Sequence, residues 1–281
     1  MLKILKPGFY TTIQDSGRFG FRNKGVPVSG CMDNMAFEQC NRLLENEKNT
    51  PVLEITMTGP TLEFLEPTFI TLTGANMNPK LNNDSISNYS VIRVKKGDVL
   101  SFEKLASGFR CYLGVKGGFE TEMVLDSASQ FMPLTPKAQL TKNDEVAYKS
   151  HSDFNPLISG MKPANYLSET NLQVFQGPEF HLLSESQIDK LFASEFHISK
   201  ENNRMAYQLE EAFESHSHNI LTSATLPGTV QCTPAGKLII LMRDGQTTGG
   251  YPRLLQLRND AISALAQKKM GDKIKFELFY N

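Results

Sequence analysis

The feature that most constrains this chain is a succession of short β-type runs, each cut off by Gly, Pro, Asn or Asp. Runs such as "VLEITM", "TLEFL", "FITLTG", "YSVIRV", "DVLSF", "RCYLGV", "EVAYK", "LQVF", "GTVQC", "KLIILM", "RLLQL" and "KIKFELF" are too short for helices and rich in β-branched and aromatic residues. Helical periodicity is confined to three segments. Residues 33–46 carry Phe37, Cys40, Leu43 and Leu44 on one face, residues 186–192 carry Ile188, Leu191 and Phe192, and residues 259–269 carry Ile262, Leu265 and Ala266 ahead of Gly271. The pattern predicts a mainly β chain, with β-barrels whose openings are covered by a few short helices.

A chain of 281 residues outgrows the usual single domain. A faint duplication points to two. Gly59-Pro60 after a strand, Gly117-Gly118-Phe119 after "RCYLGV" and "KNDEVAY" around Asp144 recur in order as Gly177-Pro178, Gly249-Gly250-Tyr251 and "MGDKIKF" around Asp272. The expected division is a first barrel over residues 1–150, a polar, proline-containing linker over 151–170 and a second barrel over 171–281.

With 29 Lys plus Arg against 30 Asp plus Glu, the formal charge is −1, and no basic stripe interleaved with aromatics marks a nucleic-acid groove. No run reaches the roughly 20 apolar residues that span a bilayer, and "MLKILKPGFY" lacks the apolar core of a signal peptide. Cys31, Cys40, Cys111 and Cys232 are dispersed without CxxC spacing, as expected of buried free thiols in a reducing compartment. A cytoplasmic location follows as the expectation.

Two stretches are polar where strands would be apolar. "MRDGQTTGGYPRL" follows the run "LIILM" and sets Gln246, Thr247 and Thr248 beside two glycines. It reads either as a ligand cradle of amides and hydroxyls or as a tight β-turn with Tyr251 in the core. Its nearby ionisable group suited to act as a base is Asp244. The second stretch, residues 11–37, holds Gln14, Asp15, Arg18, Arg22, Lys24 and Asp33 among glycines and looks too polar and irregular for a core strand. An Asp15/Arg18 pair there would either aim a guanidinium at an anionic ligand or form a surface ion pair, and Asp33 suits a helix N-cap. His216 and His218 have HxH spacing without an obvious third ligand, so a solvated loop is expected and no metal site. Neither a GxSxG elbow nor a Walker phosphate loop occurs.

The motifs "TTIQDSGRFGF", "GVPVSGCMD", "VLEITMTGPTLEF", "GFRCYLGVKGGF", "GTVQCTPAGKLIILMRDGQTTGGYP" and "KMGDKIKF" together resemble the family of 5-oxoprolinase C subunits, also called KipA or allophanate hydrolase subunit 2. The chain also resembles one half of the carboxyltransferase domain of biotin-dependent urea carboxylases. The resemblance runs from about Gly8 to about Phe276. It implies two cyclophilin-like β-barrel domains and a complex with two partners, a KipI-like B subunit plus an A subunit, in which ATP drives the opening of 5-oxo-L-proline to L-glutamate. It further implies catalytic roles for Asp15, Arg18 and Arg110, and substrate binding by Gln14, Arg204, Gln246, Thr247, Thr248, Gly249, Gly250 and Tyr251. Arg18, Arg110 and Arg204 are expected to meet anionic groups, with Asp15 orienting Arg18.

The chain departs from the family in three places. The usual Ser-Asp-Arg-Met-Gly-Tyr-Arg-Leu run becomes "NNRMAYQL", residues 202–209. The usual "LGSRST" becomes "LDSASQ", residues 125–130, and "MPLTPKAQLTKND" replaces the glycine-rich, arginine-containing segment that normally follows. Two alternatives to the enzyme subunit stand beside it. One is a binding module that sequesters a KipI-like inhibitor of a histidine kinase. The other is a carboxyltransferase acting with carboxybiotin on urea or a related amide, for which biotin would arrive on another protein, since no Met-Lys-Met attachment motif is present.

Overall fold

The computed structural model describes residues 1–163 and 165–280. The chain is mainly β, with three α-helices among the described residues. It divides into two compact units. The first comprises Met1–Arg18 and Ser29–Leu167; the second comprises Phe19–Val28 and the chain from Ser168 onward. Ten residues of the N-terminal glycine-rich segment therefore leave the first unit and join the second.

In the first unit, a seven-stranded sheet has Leu2–Lys6, Thr61–Phe64 and Val99–Ser101 at its centre. A five-stranded sheet runs in the order Tyr10–Gln14, Val52–Thr56, Ser107–Val115, Thr68–Asn76, Ile92–Val94. The two share one apolar core: Leu2, Leu62, Phe64 and Leu100 from the first sheet belong with Leu53, Ile55, Leu72 and Leu113 from the second. Each such buried side chain contributes roughly 1.5–3 kcal/mol.

The strand Val52–Thr56 is buried on both faces. Because successive side chains alternate, Leu53 and Ile55 enter the core while Val52, Glu54 and Thr56 point to the opposite face. There α1 (Asn34–Leu43) packs Ala36, Phe37 and Cys40 against Val52 and Tyr112. The expected cap is in place, since the Asp33 carboxylate accepts from Ala36 N at 3.0 Å. The close approach of α1 is possible because residue 114 is glycine: a Cβ there would lie 2.6 Å from Cys40 Sγ.

Residues 11–14, the start of the stretch that looked too polar for a core strand, lie in one. Tyr10–Gln14 pairs with Val52–Thr56 from Tyr10↔Thr56 to Gln14↔Val52. The side chains of Thr12 and Gln14 are satisfied within the protein, whereas the buried Thr11 hydroxyl has no hydrogen-bond partner among the described residues. Gln14 Nε2 donates to Thr12 Oγ1 at 3.1 Å and to the Gln130 carbonyl at 3.2 Å, and Gln130 Oε1 accepts from Ile13 N.

The second unit is a closed barrel in the order Asn171–Gln176, Arg253–Leu257, Thr229–Cys232, Lys237–Leu241, Ala206–Ala212, Phe196–Asn202, Lys273–Leu278. A parallel pairing of the first and last closes it. Leu172, Val174, Leu209, Val230, Ile240 and Leu255 are fully buried. α2 (Glu185–Ala193) begins at a capping box built from Ser184 and Gln187, and α3 (Asn259–Ala266) turns Ile262 and Leu265 inward. All four cysteines are buried free thiols; burial pushes Cys40 up to about 12 and Cys232 up to about 11, so both stay protonated. No helix among the described residues is long and apolar enough to cross a membrane.

Candidate active site

The residues picked out by the sequence fall into distinct clusters. In the first unit, Gln14, Asp15 and Arg18 form a buried corner at the end of the strand Tyr10–Gln14. The Asp15 carboxylate accepts four hydrogen bonds: Gly17 N at 2.8 Å, Ser127 Oγ at 2.7 Å, Ser129 Oγ at 2.6 Å and Ala128 N at 2.8 Å. Arg18 donates through Nε to the Val124 carbonyl at 3.0 Å and through Nη2 to the Ser129 carbonyl.

The direct Asp15–Arg18 pair expected from the sequence is not how the two are linked. Both grip residues 124–129, and Ser129 is their common partner. The segment so held contains "LDSAS", residues 125–129, and it is strained in a specific way: Leu125 and Asp126 both have positive φ, 51° and 59°. The family's usual glycine fits that backbone at residue 126, and an aspartate is among the few side chains that tolerate it.

Arg110 lies elsewhere. Its register partner is Thr56, which pairs in turn with Tyr10, whereas Gln14 pairs with Val52. Four residues of strand, about 13 Å, therefore separate Arg110 from the Asp15 corner along the sheet. Arg110 shares its face with Tyr112 and with Glu54 of the neighbouring strand. Glu54, fully buried, accepts from Tyr112 OH and from Met32 N, each at 2.8 Å, and its other oxygen is 3.8 Å from Arg110 Nε. Tyr112 OH also accepts from Asp33 N at 2.8 Å, and the Asp33 carboxylate accepts from Tyr166 OH at 2.6 Å. Burial first, and the neighbouring carboxylates after it, hold both phenols well above their usual range, so they act as donors throughout.

Glu54 was not singled out from the sequence. Its signal was an acidic residue in the middle of the apolar run "VLEITM", where alternation alone would have sent it to a buried face.

In the second unit, Arg204 and Asp244 form a two-pronged ion pair, Nε–Oδ2 2.8 Å and Nη2–Oδ1 3.1 Å, with little solvent exposure on either side chain. The backbone adds Asp244 N to Arg204 O at 2.9 Å. Asp244, the group that looked suited to be a base beside residues 246–251, is thus committed as the counter-ion of Arg204.

The segment that begins at Gln246 is a short ledge. Thr248–Gly249 pairs with Ser223–Ala224. Thr225 holds it from the side, donating its hydroxyl to the Gln246 carbonyl at 2.6 Å and its N–H to the Thr247 carbonyl at 3.1 Å. Arg22, from the segment Phe19–Val28, donates to the Thr225 carbonyl, and Arg253 donates to the Ala224 carbonyl at 2.6 Å while gripping Glu179 with two further bonds. Gln246, Thr248 and Gly250 are exposed, and Tyr251 is 39% exposed. Tyr251 is therefore not packed in the core as the turn reading has it, and the ledge exposes amide and hydroxyl groups. Gly249 is buried, and a Cβ there would come within 2.5 Å of Gln231 Nε2 and 2.9 Å of Gln246 Nε2. The glycine therefore leaves room for the Gln246 amide.

His216 and His218 stack with ring centroids 5.6 Å apart, and His216 Nε2 contacts the Cys232 carbonyl at 3.3 Å. No group of three or more His, Cys, Asp or Glu side chains among the described residues is placed to hold a metal ion.

With this geometry in view, residues 24–278 match the family model described as "Carboxyltransferase domain, subdomain A and B". The chain belongs to this family. It is 33% identical to the C subunit of 5-oxoprolinase from Escherichia coli (strain K12), over 98% of this chain and 90% of the relative. Among solved structures it resembles that of TTHA0988, with a TM-score of 0.90 and 25% identity over 98% of this chain but 55% of the other. It also resembles the K. lactis urea amidolyase, with a TM-score of 0.88 and 27% identity over 98% of this chain and 18% of the other. The chain thus spans about half of the first solved relative and a small part of the second. Within the family, the deep corner at Asp15 and the exposed ledge from Gln246 lie on the motifs "TTIQDSGR" and "QTTGGYP" by which the sequence resembles it.

Proposed function

We propose that this chain is one component of an ATP-dependent 5-oxoprolinase, active only with partner subunits, that opens 5-oxo-L-proline to L-glutamate. The observation that carries the reading is the nearly end-to-end likeness to the 5-oxoprolinase C subunit of E. coli. The chemistry fits a shared task. A lactam amide is a poor electrophile; transfer of a phosphoryl group from ATP to its oxygen releases ADP and activates the ring carbon, one water then adds there as the ring C–N bond breaks to give the amine of γ-glutamyl phosphate, and a second water releases phosphate and leaves glutamate.

The ledge at Gln246, Thr247 and Thr248 supplies neutral donors and acceptors suited to a lactam and its carboxylate, and it carries neither a strong nucleophile nor a base. Its role is to position substrate. The buried Arg110 and Arg204 set positive charge in the two units, the first beside Glu54 and the second beside Asp244. Asp15 and Arg18 act through the backbone they hold, as positioning residues.

ATP finds poor provision at the helix starts of this chain. Asp33 and Ser184 fill the N-termini of α1 and α2, and the Asp260 carboxylate accepts from Ala261 N at the start of α3. In this reading ATP is bound within the complex. The test is reconstitution: this chain combined with its A and B partners should release glutamate from 5-oxo-L-proline with ATP, and omission of this chain should abolish the release. Absence of glutamate with all three folded subunits present overturns the reading.

The likeness to the K. lactis urea amidolyase favours a second reading, transfer of a carboxyl group from carboxybiotin borne on another protein. It predicts activity on urea or a related amide that avidin blocks, whereas 5-oxoproline opening is indifferent to avidin.

A further inference from the structure

The second unit carries a groove of about 800 Å³ that the ledge and the ion pairs leave unexplained. It runs between the segment Phe19–Val28 and the start of α3. We propose that this groove docks an acidic, apolar segment of another subunit of the same enzyme; the proposal rests on the multi-subunit reading above.

Apolar groups stand in the open along it. Phe19 is 64% exposed, Leu226 55% and Phe175 41%. Large apolar side chains gathered in one place on a surface mark contact with another macromolecule more often than chance scatter. Arg22 and Arg258 line the groove beside the acid Asp260. Arg258 lies 4.0 Å over the Phe279 ring, and its pair with Asp260, at 3.1 Å, is half-solvated, so it keeps donors for an incoming carboxylate. Arg22 spends Nη2 on the Thr225 carbonyl, while its Nη1 is sealed from water without a hydrogen-bond partner among the described residues.

Such an occupant needs aliphatic or aromatic side chains to cover Phe19, Leu226 and Phe175, with Asp or Glu flanking them. A partner exists for the fold elsewhere. The matching region is 55% of the TTHA0988 chain and 18% of the K. lactis urea amidolyase, so in both it sits beside further protein, and the E. coli relative is itself a subunit of a larger enzyme.

The test measures, by titration calorimetry, the affinity of the purified full chain for its separately purified partner subunits. Phe19→Glu and Leu226→Glu change exposed positions, and matching thermal melts confirm the fold. Each should weaken binding about tenfold or more, as loss of a central apolar contact at an interface does, and Arg258→Glu should act in the same direction. The wild-type affinity should fall as salt rises. Leu157→Glu, at a 90% exposed position of the first unit, should change nothing. Unchanged affinity in both Phe19→Glu and Leu226→Glu, with the wild type bound, overturns the docking surface and leaves the multi-subunit reading standing. If the wild type binds neither partner, both fall. If the groove variants instead abolish self-association of the chain, the occupant is a second copy and the proposal is wrong.

Discussion

Glu54 joins three parts of the first unit: the backbone of Met32, the hydroxyl of Tyr112 and the guanidinium of Arg110. Removing the charge of one member of a buried ion pair is costly. Glu54→Gln should therefore destabilise the chain by roughly 3 kcal/mol, lowering the calorimetric midpoint by roughly 6–12 °C. A change below about 1 kcal/mol, the worth of a surface pair, would show that Arg110 does not depend on Glu54. Glu179 gives a pH-dependent counterpart. Its hydrogen bonds from Arg253 hold its carboxyl below the usual 4.5. A depressed folded-state value contributes stability that is present above the unfolded value and lost as pH falls through the folded one. Stability should decline below about pH 4.5 as this pair is protonated, and acid titrations followed by circular dichroism should show a shallower decline in Glu179→Gln. At this scale the sequence was half legible. Asp33 announced itself as a cap, because capping depends on local order. Asp15 and Arg18 announced themselves as important but not as partners of Ser127 and Ser129, because those contacts span more than a hundred residues.

The elements that were readable are those whose side chains alternate or recur with a clear period. Most of the β-type runs are strands, and each of the three helical segments holds a helix. Tyr10–Gln14 escaped because its buried residues include Thr11, Thr12 and Gln14, and the polarity of Thr12 and Gln14 is met by Gln130 and by each other. Phe196–Asn202 and Ala206–Ala212 also belong to the barrel although their outer halves are polar. The packing of α1 on its sheet depends on a missing side chain. Gly114→Ala would set a methyl 2.6 Å from Cys40 Sγ and 2.9 Å from Leu44 Cδ1. Overpacking of this kind costs roughly 1–3 kcal/mol. Urea unfolding should show a lower midpoint at unchanged slope, and a Cys40→Ala change on top should restore part of the loss. If Gly114→Ala is neutral, α1 is less tightly seated than its contacts imply.

For the molecule as a whole, the mainly β class was legible from the short runs. The assignment of Phe19–Val28 to the second unit was not, because nothing in a glycine-rich segment says where a chain crosses over. That detour brings Arg22 to Thr225, and Thr225 to the ledge at Gln246 and Thr247. The site motif "QTTGGYP" is consequently shaped in part by residues distant from it in sequence. Its use in catalysis is the central claim, and steady-state kinetics of the reconstituted complex test it most directly. The account predicts that Gln246→Ala, at an exposed position, leaves assembly and melting temperature unchanged. It also predicts that the mutation lowers kcat/KM for 5-oxo-L-proline by at least about tenfold, the loss of one or two substrate hydrogen bonds. Glutamate release by Gln246→Ala at the wild-type rate and the wild-type KM would contradict it.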